Sequence, residues 1–410
     1  MIKILSGKEN KPQNNEELVN SLFSRSVQEV LPSKDLLSSK MAGKKLRVYA
    51  GIDPTGPTLH LGHVIVLKKL AQFQALGHET ILLIGDFTAM IGDPTDKASV
   101  RKALTEAEVK KNLKLYIKQA GRFINFTGRN KAKVVYNSKW LKGMNMKNVL
   151  ELTSLMTVDQ MMKRDMFATR SEEGKPIYMH EFMYPLLQGY DSVALDADVE
   201  IGGNDQMFNM MVGRDFQKRL QNKEKVCITV KLLADATGKK MGKSEGNMAS
   251  LLDSNFEMFG KVMSWTDGMM ESGFELCTNL SSEELESVRL ELKDPSVNPR
   301  DMKVRLAYEV VSMCFGEESA ITAKENFIRT FSNNEVPQNI EEIGVRFETP
   351  LGLILQNQGL VASAGEFKRL VKEGAVSTME GEKITDFNYQ VTKPVVVKVG
   401  KRRFLDIKIH

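Results

Sequence analysis

Residues Leu46 to Ile84 read LRVYAGIDPTGPTLHLGHVIVLKKLAQFQALGHETILLI. An apolar run, Leu46 to Ile52, gives way to a turn containing Pro54, Gly56 and Pro57. Apolar residues then recur at helical spacing from Leu61 to Leu76, stop at Gly77, and resume as a second apolar run from Thr80 to Ile84. Strand, helix and strand of these lengths form a right-handed crossover, which places the two strands side by side and parallel. Neither proline can sit inside the first strand, so the chain leaves the sheet there and re-enters regular structure at a helix N-terminus near Leu61. In an open α/β sheet such a crossing is where ligands bind, with the helix amides and dipole facing phosphate.

The same alternation extends outward. Lys133 to Tyr136, Val199 to Ile201 and Val226 to Leu233 read as strands, and Met179 to Leu195 and Asp205 to Leu220 as helices. Thr105 to Ala120 reads as one helix, opened by a Thr105/Glu108 capping box and closed at Gly121. Ahead of the sheet, Leu18, Leu22, Phe23, Val27, Val30 and Leu31 keep helical spacing and predict a leading helix. The fold class is therefore α/β, a doubly wound parallel sheet of the Rossmann-like kind over residues 1–250, with an insertion near 95–190. Helical segments such as Ser282 to Leu292 and Asp301 to Cys314 predict a helical domain over 251–345. A small α+β domain over 346–410 follows, with a helix capped at Ser363 and stopped at Gly374, then strands Val395 to Val399 and Phe404 to Ile409.

The chain has 410 residues, 42% of them hydrophobic and 27% charged, the balance of a folded globular protein. Its apolar runs are too short to cross a bilayer and its first residues lack a signal-peptide core, so the expected location is cytoplasmic. Cys227, Cys277 and Cys314 are odd in number and far apart, which argues against a disulfide framework and against a zinc site. The net charge is +5, but residues 361–410 carry ten Lys and Arg against six Asp and Glu. A basic tail on a nearly balanced body suits either a polyanion partner or an ordinary solvated face.

Two segments carry chemistry. His60 and His63 are three apart and share a face of the first helical turn, with Gly62 removing bulk between them; they suit phosphate contacts or simple capping. The second segment is Thr237-Gly238-Lys239-Lys240-Met241-Gly242-Lys243-Ser244. It is not a phosphate loop, because only three residues separate its glycines and Thr237 stands where the first glycine should be. It offers Lys240 and Lys243 to charge building on a departing pyrophosphate, or reads as a solvated lysine run. Tyr184, Gln188 and Asp191 follow i, i+4, i+7 spacing, so one helix face presents a phenol, an amide and a carboxylate together.

His60-Leu61-Gly62-His63 and Lys240-Met241-Gly242-Lys243-Ser244 resemble the two signature segments of class I aminoacyl-tRNA synthetases. The stretches Gly51 to Thr55, Ile91 to Thr95, Tyr184 to Asp191 and Ile201 to Gln206 are similar to the tyrosyl-tRNA synthetase family. The resemblance covers nearly the whole chain and implies a tyrosine-tRNA ligase. ATP, carrying Mg2+, would activate L-tyrosine, and the tyrosyl group would pass to tRNA(Tyr). It implies ATP contacts for His60, His63, Gly203, Asp205, Lys240 and Lys243, with the two histidines and two lysines catalytic. It implies tyrosine contacts for Tyr49, Asp93, Tyr184, Gln188, Asp191 and Gln206, with Tyr49 and Asp191 on the phenol hydroxyl. Tyr49 also suits an ordinary core aromatic, and Asp53 suits either a pocket wall or a turn cap before Pro54. The lysine segment departs from the commonest family wording, with Gly242 where serine is usual.

Ser363 to Leu370 and Gly374 to Val376 resemble the RNA-binding domain of the ribosomal protein S-four type, whose helix would present Lys368, Arg369 and Lys372 to an RNA backbone. The family also implies a homodimer formed through the insertion; no third Cys, His or carboxylate stands at metal-ligand spacing beside His60 and His63, so no protein-held metal is expected. The related tryptophanyl-tRNA synthetases, and synthetase-like RNA-binding scaffolds, are the alternative readings. A Tyr49 and Asp191 pair suits a phenol better than an indole, and a scaffold has no use for His60, His63, Lys240 and Lys243.

Overall fold

The computed structural model describes residues 16–94, 104–234, 248–332, 342–379, 381–400 and 403–409. A six-stranded sheet runs in the order β1-β6-β5-β2-β3-β4. Its strands are β1 (Val27–Leu31), β2 (Arg47–Ile52), β3 (Glu79–Ile84), β4 (Lys133–Tyr136), β5 (Val199–Gly203) and β6 (Val226–Val230). All neighbours pair in parallel except β1, which is antiparallel to β6. From β2 the chain builds outward through β3 and β4, then returns to place β5 and β6 on the other side of β2. The strand order therefore reverses between β2 and β5, and in such sheets the crevice at that point holds the ligand. Every residue of β6 and all but the first of β3 are buried, as a parallel sheet covered on both faces requires.

The crossover predicted from Leu46 to Ile84 forms as read. Helix Leu61–Ala75 buries Leu61, Val64, Ile65, Leu67, Leu70 and Phe73, and Gly77 takes the left-handed backbone that ends it. Two other expectations change. The leading helix stops at Ser24, and Val27, Val30 and Leu31 belong instead to the edge strand β1. Ser26, at φ 61°, turns the chain there, and the ladder offered by β6 outweighs helical spacing that only a few residues support. Lys69, buried on the crossover helix, donates to the carbonyls of Ser21, Leu22 and Arg25 at 3.3, 3.1 and 2.8 Å, so its Nζ closes the helix end. The predicted Thr105 to Ala120 helix has its capping box but breaks into Glu106–Leu113 and Tyr116–Ala120. Tyr116, buried, donates at 2.6 Å to the carbonyl of Gly56 in the proline turn, which anchors the second piece independently.

Helices Met179–Ala194 and Met207–Gln221 pack backbone to backbone. A Cβ on Gly189 would stand 2.8 Å from Val212 Cγ1 and 3.1 Å from the Gly213 nitrogen. Helices Asn255–Met263, Met270–Cys277, Pro299–Phe315 and Glu317–Ser332 contribute to the same hydrophobic core as the sheet, which runs unbroken from Leu22 to Phe327. Residues Leu351 to Ile407 enclose a core of their own. There a four-stranded sheet is built from β7 (Glu342–Val345), β9 (Val376–Thr378), β11 (Val395–Val399) and β12 (Arg403–Ile409), in the order β7-β12-β11-β9. A two-stranded pair, β8 (Thr349–Pro350) with β10 (Gln390–Val391), and helices Leu351–Asn357 and Ala364–Lys372 accompany it. The three cysteines are buried and unbridged.

Candidate active site

At the carboxyl ends of β2 and β5, where the strand order reverses, lies a cavity of about 680 Å³. The sequence expectations meet there. Tyr49 from β2, His60 and His63 from the turn beyond it, Asp93 after β3, and Tyr184, Gln188 and Asp191 from one helix all line it. Gly203, Asp205 and Gln206 at the end of β5 complete its wall.

The histidines hold the start of the crossover helix as a reciprocal cap. The Gly62 N–H donates to His60 Nδ1 at 3.1 Å, and the His60 N–H donates to His63 Nδ1 at 3.2 Å. Their rings lie 3.9 Å apart between centroids. The capping reading and the phosphate reading are thus compatible. Because each Nδ1 is an acceptor, the proton of a neutral ring sits on Nε2, which makes both imidazoles hydrogen-bond donors on a cavity wall. Gly62 is required by this geometry, since a Cβ there would stand 2.9 Å from His60 Cε1.

At the opposite end, the Asp191 carboxylate is buried and accepts from Trp140 Nε1 at 2.8 Å and from Asn137 Nδ2 at 3.2 Å. Burial raises its pKa well above the usual carboxylate range, with the two hydrogen bonds opposing that rise and the charges of Asp53 and Glu200 adding to it. Tyr49, 1% exposed, pairs its hydroxyl with Ser192 Oγ at 2.7 Å. Burial, then the Glu200 charge, raises its phenol well above the ordinary value, so it stays a neutral hydroxyl. Tyr49 is therefore both a core aromatic and a member of the cavity wall.

Asp53 is more than a turn residue. It accepts from Thr88 Oγ1 at 2.8 Å and from the Tyr184 hydroxyl at 2.8 Å. Gly85 leaves room for that carboxylate, into which a Cβ would run. A second polar chain closes the side wall. Asn209 Nδ2 donates to Gln188 Oε1 at 2.8 Å and to Gln206 Oε1 at 3.0 Å; Gln206 Nε2 donates to Asp93 Oδ2 at 2.7 Å; Arg164 stands 3.5 Å from Asp93. Arg164 lies over the rings of Phe167 and Phe208, 5.8 and 5.4 Å from their centroids, which fixes its guanidinium plane.

Sequence reasoning missed Thr88, Asn137, Trp140, Arg164, Ser192, Glu200, Asn209 and Lys225. Asn137 and Trp140 follow the end of β4, a position that the strand pattern alone marks as a sheet edge near the ligand crevice. Nothing in spacing marks Arg164 or Asn209, whose roles come from tertiary placement.

Lys240 and Lys243 lie outside the described residues. The chain on either side of them does border the site, because Leu233 and Met248 line the cavity. Beyond Met248, the backbone at Ser250 forms an antiparallel bridge with His60. Leu61 N–H donates to Ala249 O at 3.2 Å and Leu251 N–H to Leu59 O at 2.9 Å. In the tail, Lys368, Arg369 and Lys372 are exposed on helix Ala364–Lys372, while Phe367, Leu370 and Val371 are buried on its other side. Arg369 also pairs with Glu373 at 3.3 Å. The tail residues do not line the cavity.

Comparison with known proteins agrees with this geometry. Residues 41–332 match the model of the tRNA synthetases class I (W and Y). A tyrosine-tRNA ligase of Carboxydothermus hydrogenoformans is 43% identical over 400 residues, covering 94% of this chain and 96% of the relative. Tyrosine-tRNA ligase 2 of Vibrio parahaemolyticus is 41% identical over 387 residues, with 94% and 97% covered. Among solved structures, a truncated mitochondrial tyrosyl-tRNA synthetase of Aspergillus nidulans superposes with TM-score 0.63 at 23% identity, covering 78% of this chain and 95% of that one. The tyrosyl-tRNA synthetase of Archaeoglobus fulgidus superposes with TM-score 0.57 at 21% identity, covering 75% and 98%; both share its fold. With relatives aligned almost end to end and the cavity at the switch point of a class I sheet, the chain belongs to the bacterial-type tyrosine-tRNA ligase family of class I aminoacyl-tRNA synthetases.

Proposed function

We propose that the protein is a tyrosine-tRNA ligase that makes tyrosyl-adenylate and pyrophosphate from L-tyrosine and ATP, then transfers the tyrosyl group to the 3′ end of tRNA(Tyr). One observation carries the reading: a single cavity has a phenol-compatible pair, Tyr49 and Asp191, at one end and a helix N-terminus capped by two imidazoles at the other. A bound phenol accepts from Tyr49 and donates to Asp191, and a phenylalanine in its place leaves two buried groups unpaired at about 1–3 kcal/mol each. In this proposal Tyr184, Gln188, Asp93 and Gln206 surround the α-ammonium and carboxylate, and Gly203 and Asp205 meet the ribose. The substrate carboxylate attacks the α-phosphorus, pyrophosphate leaves, and no protein nucleophile is used. The rate comes from positioning and from donors facing growing phosphate charge: His60 and His63, joined by Lys240 and Lys243.

Among the described residues no three or more His, Cys, Asp or Glu side chains gather as metal ligands. We assign magnesium to the substrate, on the phosphates of ATP. No described helix is long and apolar enough to cross a membrane, and the proposed location is the cytoplasm. The proposed domains are 1–250, 251–345 and 346–410, the last presenting Lys368, Arg369 and Lys372 to tRNA. A homodimer through the insertion is supported by the large apolar side chains of Met146, Leu150, Val158 and Met179, which are exposed there.

Tyrosine-dependent exchange of labelled pyrophosphate into ATP tests the reading. Exchange with tyrosine well above that with tryptophan or phenylalanine is expected; no exchange with tyrosine overturns it.

A further inference from the structure

The turn that leads into His60 contains Pro54 and Pro57, which have no N–H to give to a backbone ladder. Four of its backbone groups are met by side chains instead, and all of these come from one stretch of chain, helices Glu106–Leu113 and Tyr116–Ala120. Asn112 Nδ2 donates to the Pro54 carbonyl at 2.9 Å, the Tyr116 hydroxyl to the Gly56 carbonyl at 2.6 Å, and Gln119 Nε2 to the Pro57 carbonyl at 3.3 Å. The Leu59 N–H donates to Gln119 Oε1 at 2.8 Å. Each of these bonds has a backbone group at one end, which fixes its direction.

Gln119 is 2% exposed, and its amide spans the turn, accepting from Leu59 and donating across to Pro57. Its second N–H goes to the Leu115 carbonyl at 3.2 Å, so the amide cannot rotate without leaving buried groups unpaired. Leu59, fully buried, is the residue before His60. Its carbonyl accepts from the Leu251 N–H, and the Leu61 N–H donates to Ala249, so the backbone is held on both sides of His60. The stretch that grips the turn also grips this second segment, since Arg122 Nη1 donates to the Leu251 carbonyl at 2.9 Å. Asp53, at the start of the turn, has separate anchors in Thr88 and Tyr184.

We propose that Gln119 and Tyr116, with Asn112, are positioning residues for adenylate formation: they set where the His60 imidazole stands, through the backbone of the turn. The inference rests on the tyrosine-activating reading above and adds to it a control on the ATP half of the site. Because Asp53 is anchored by Thr88 and Tyr184, loosening the turn displaces His60 and leaves the tyrosine pocket in place.

Double-mutant cycles read by pyrophosphate exchange in the full chain test this. Gln119→Met and Tyr116→Phe are each made in the parent and in His60→Ala. In the parent background kcat should fall about tenfold, short of the roughly 10² that a 1 Å displacement of a catalytic group costs, with the KM for tyrosine unchanged. In the His60→Ala background the same substitutions should change kcat by less than about twofold, because the group they place is gone. A purely structural role predicts the same loss in both backgrounds, or a rise in the KM for tyrosine. Either result overturns the proposal, as does an unchanged kcat in the parent background. Tyr116→Phe removes only a hydroxyl, so it decides the matter even where Gln119→Met fails to fold. A parent without tyrosine-dependent exchange overturns the functional reading instead.

Discussion

Replacing Gly62 with alanine separates the catalytic use of His60 from its use as a cap. The added Cβ would stand 2.9 Å from His60 Cε1 and 3.0 Å from Nδ1. The first distance is about 0.6–1.1 Å inside the optimal separation of two carbon atoms, so the imidazole must swing outward by a similar amount. That displacement breaks the 3.1 Å bond from the Gly62 N–H, a cap worth about 1 kcal/mol. Alanine in place of glycine returns about 0.8 kcal/mol of helix propensity. Net stability should therefore move by less than about 1 kcal/mol, whereas a reacting-site donor misplaced by about 1 Å costs on the order of 10² in rate. Pyrophosphate exchange at saturating tyrosine and ATP, measured beside a thermal melt, is expected to show that split. Exchange at the parent rate would refute the assignment of His60 as a positioned donor. A collapse of the melt would refute the balance of cap against propensity.

Trp140→Phe removes the N–H that Asp191 accepts at 2.8 Å, and should lower kcat/KM for tyrosine about tenfold with phenylalanine unaffected; equal losses for both would count against the phenol-site reading. Burial, reinforced by Arg25 and Lys68, pulls the Lys69 ammonium from 10.5 down to about 7. The unfolded chain binds the extra proton between those values, so folding stability rises with pH from about 7 towards 10.5, and that rise should shrink in Lys69→Met when melts at pH 7 and pH 9.5 are compared. An undiminished rise would contradict a depressed Lys69. Lys368→Glu with Lys372→Glu should raise the KM for tRNA in aminoacylation and flatten its salt dependence, and an unchanged salt slope would remove the tail from the RNA contact.

The crossover was readable because several signals agree over Leu46 to Ile84: apolar runs, prolines at the exit, and a glycine stop. The switch-point cavity follows from strand alternation alone, and the stripe Tyr184, Gln188, Asp191 from helical spacing. The edge strand β1 was not readable, because Val27, Val30 and Leu31 fit a helix as well as a strand and the deciding partner, β6, lies about two hundred residues on. The shell around the site was hidden for a related reason. Ser192, Glu200 and Lys225 sit on three different elements, and no local pattern distinguishes a buried lysine from a solvated one. Asp53 shows the limit of weighing one role against another from sequence, since a residue next to a proline turn also ties Tyr184 and Thr88 into one wall.

The backbone bridge between His60 and Ser250 bears on which changes in chain length the protein can accept. Leu59, Leu61, Ala249 and Leu251 are all fully buried, while His60 and Ser250 sit between them. Deleting one residue at 248–251 would shift the pairing by a single step, turning serine into the core and a leucine towards the cavity. Insertions and deletions in this stretch are thus excluded by the sheet-like register itself, and length variation among relatives should fall outside it.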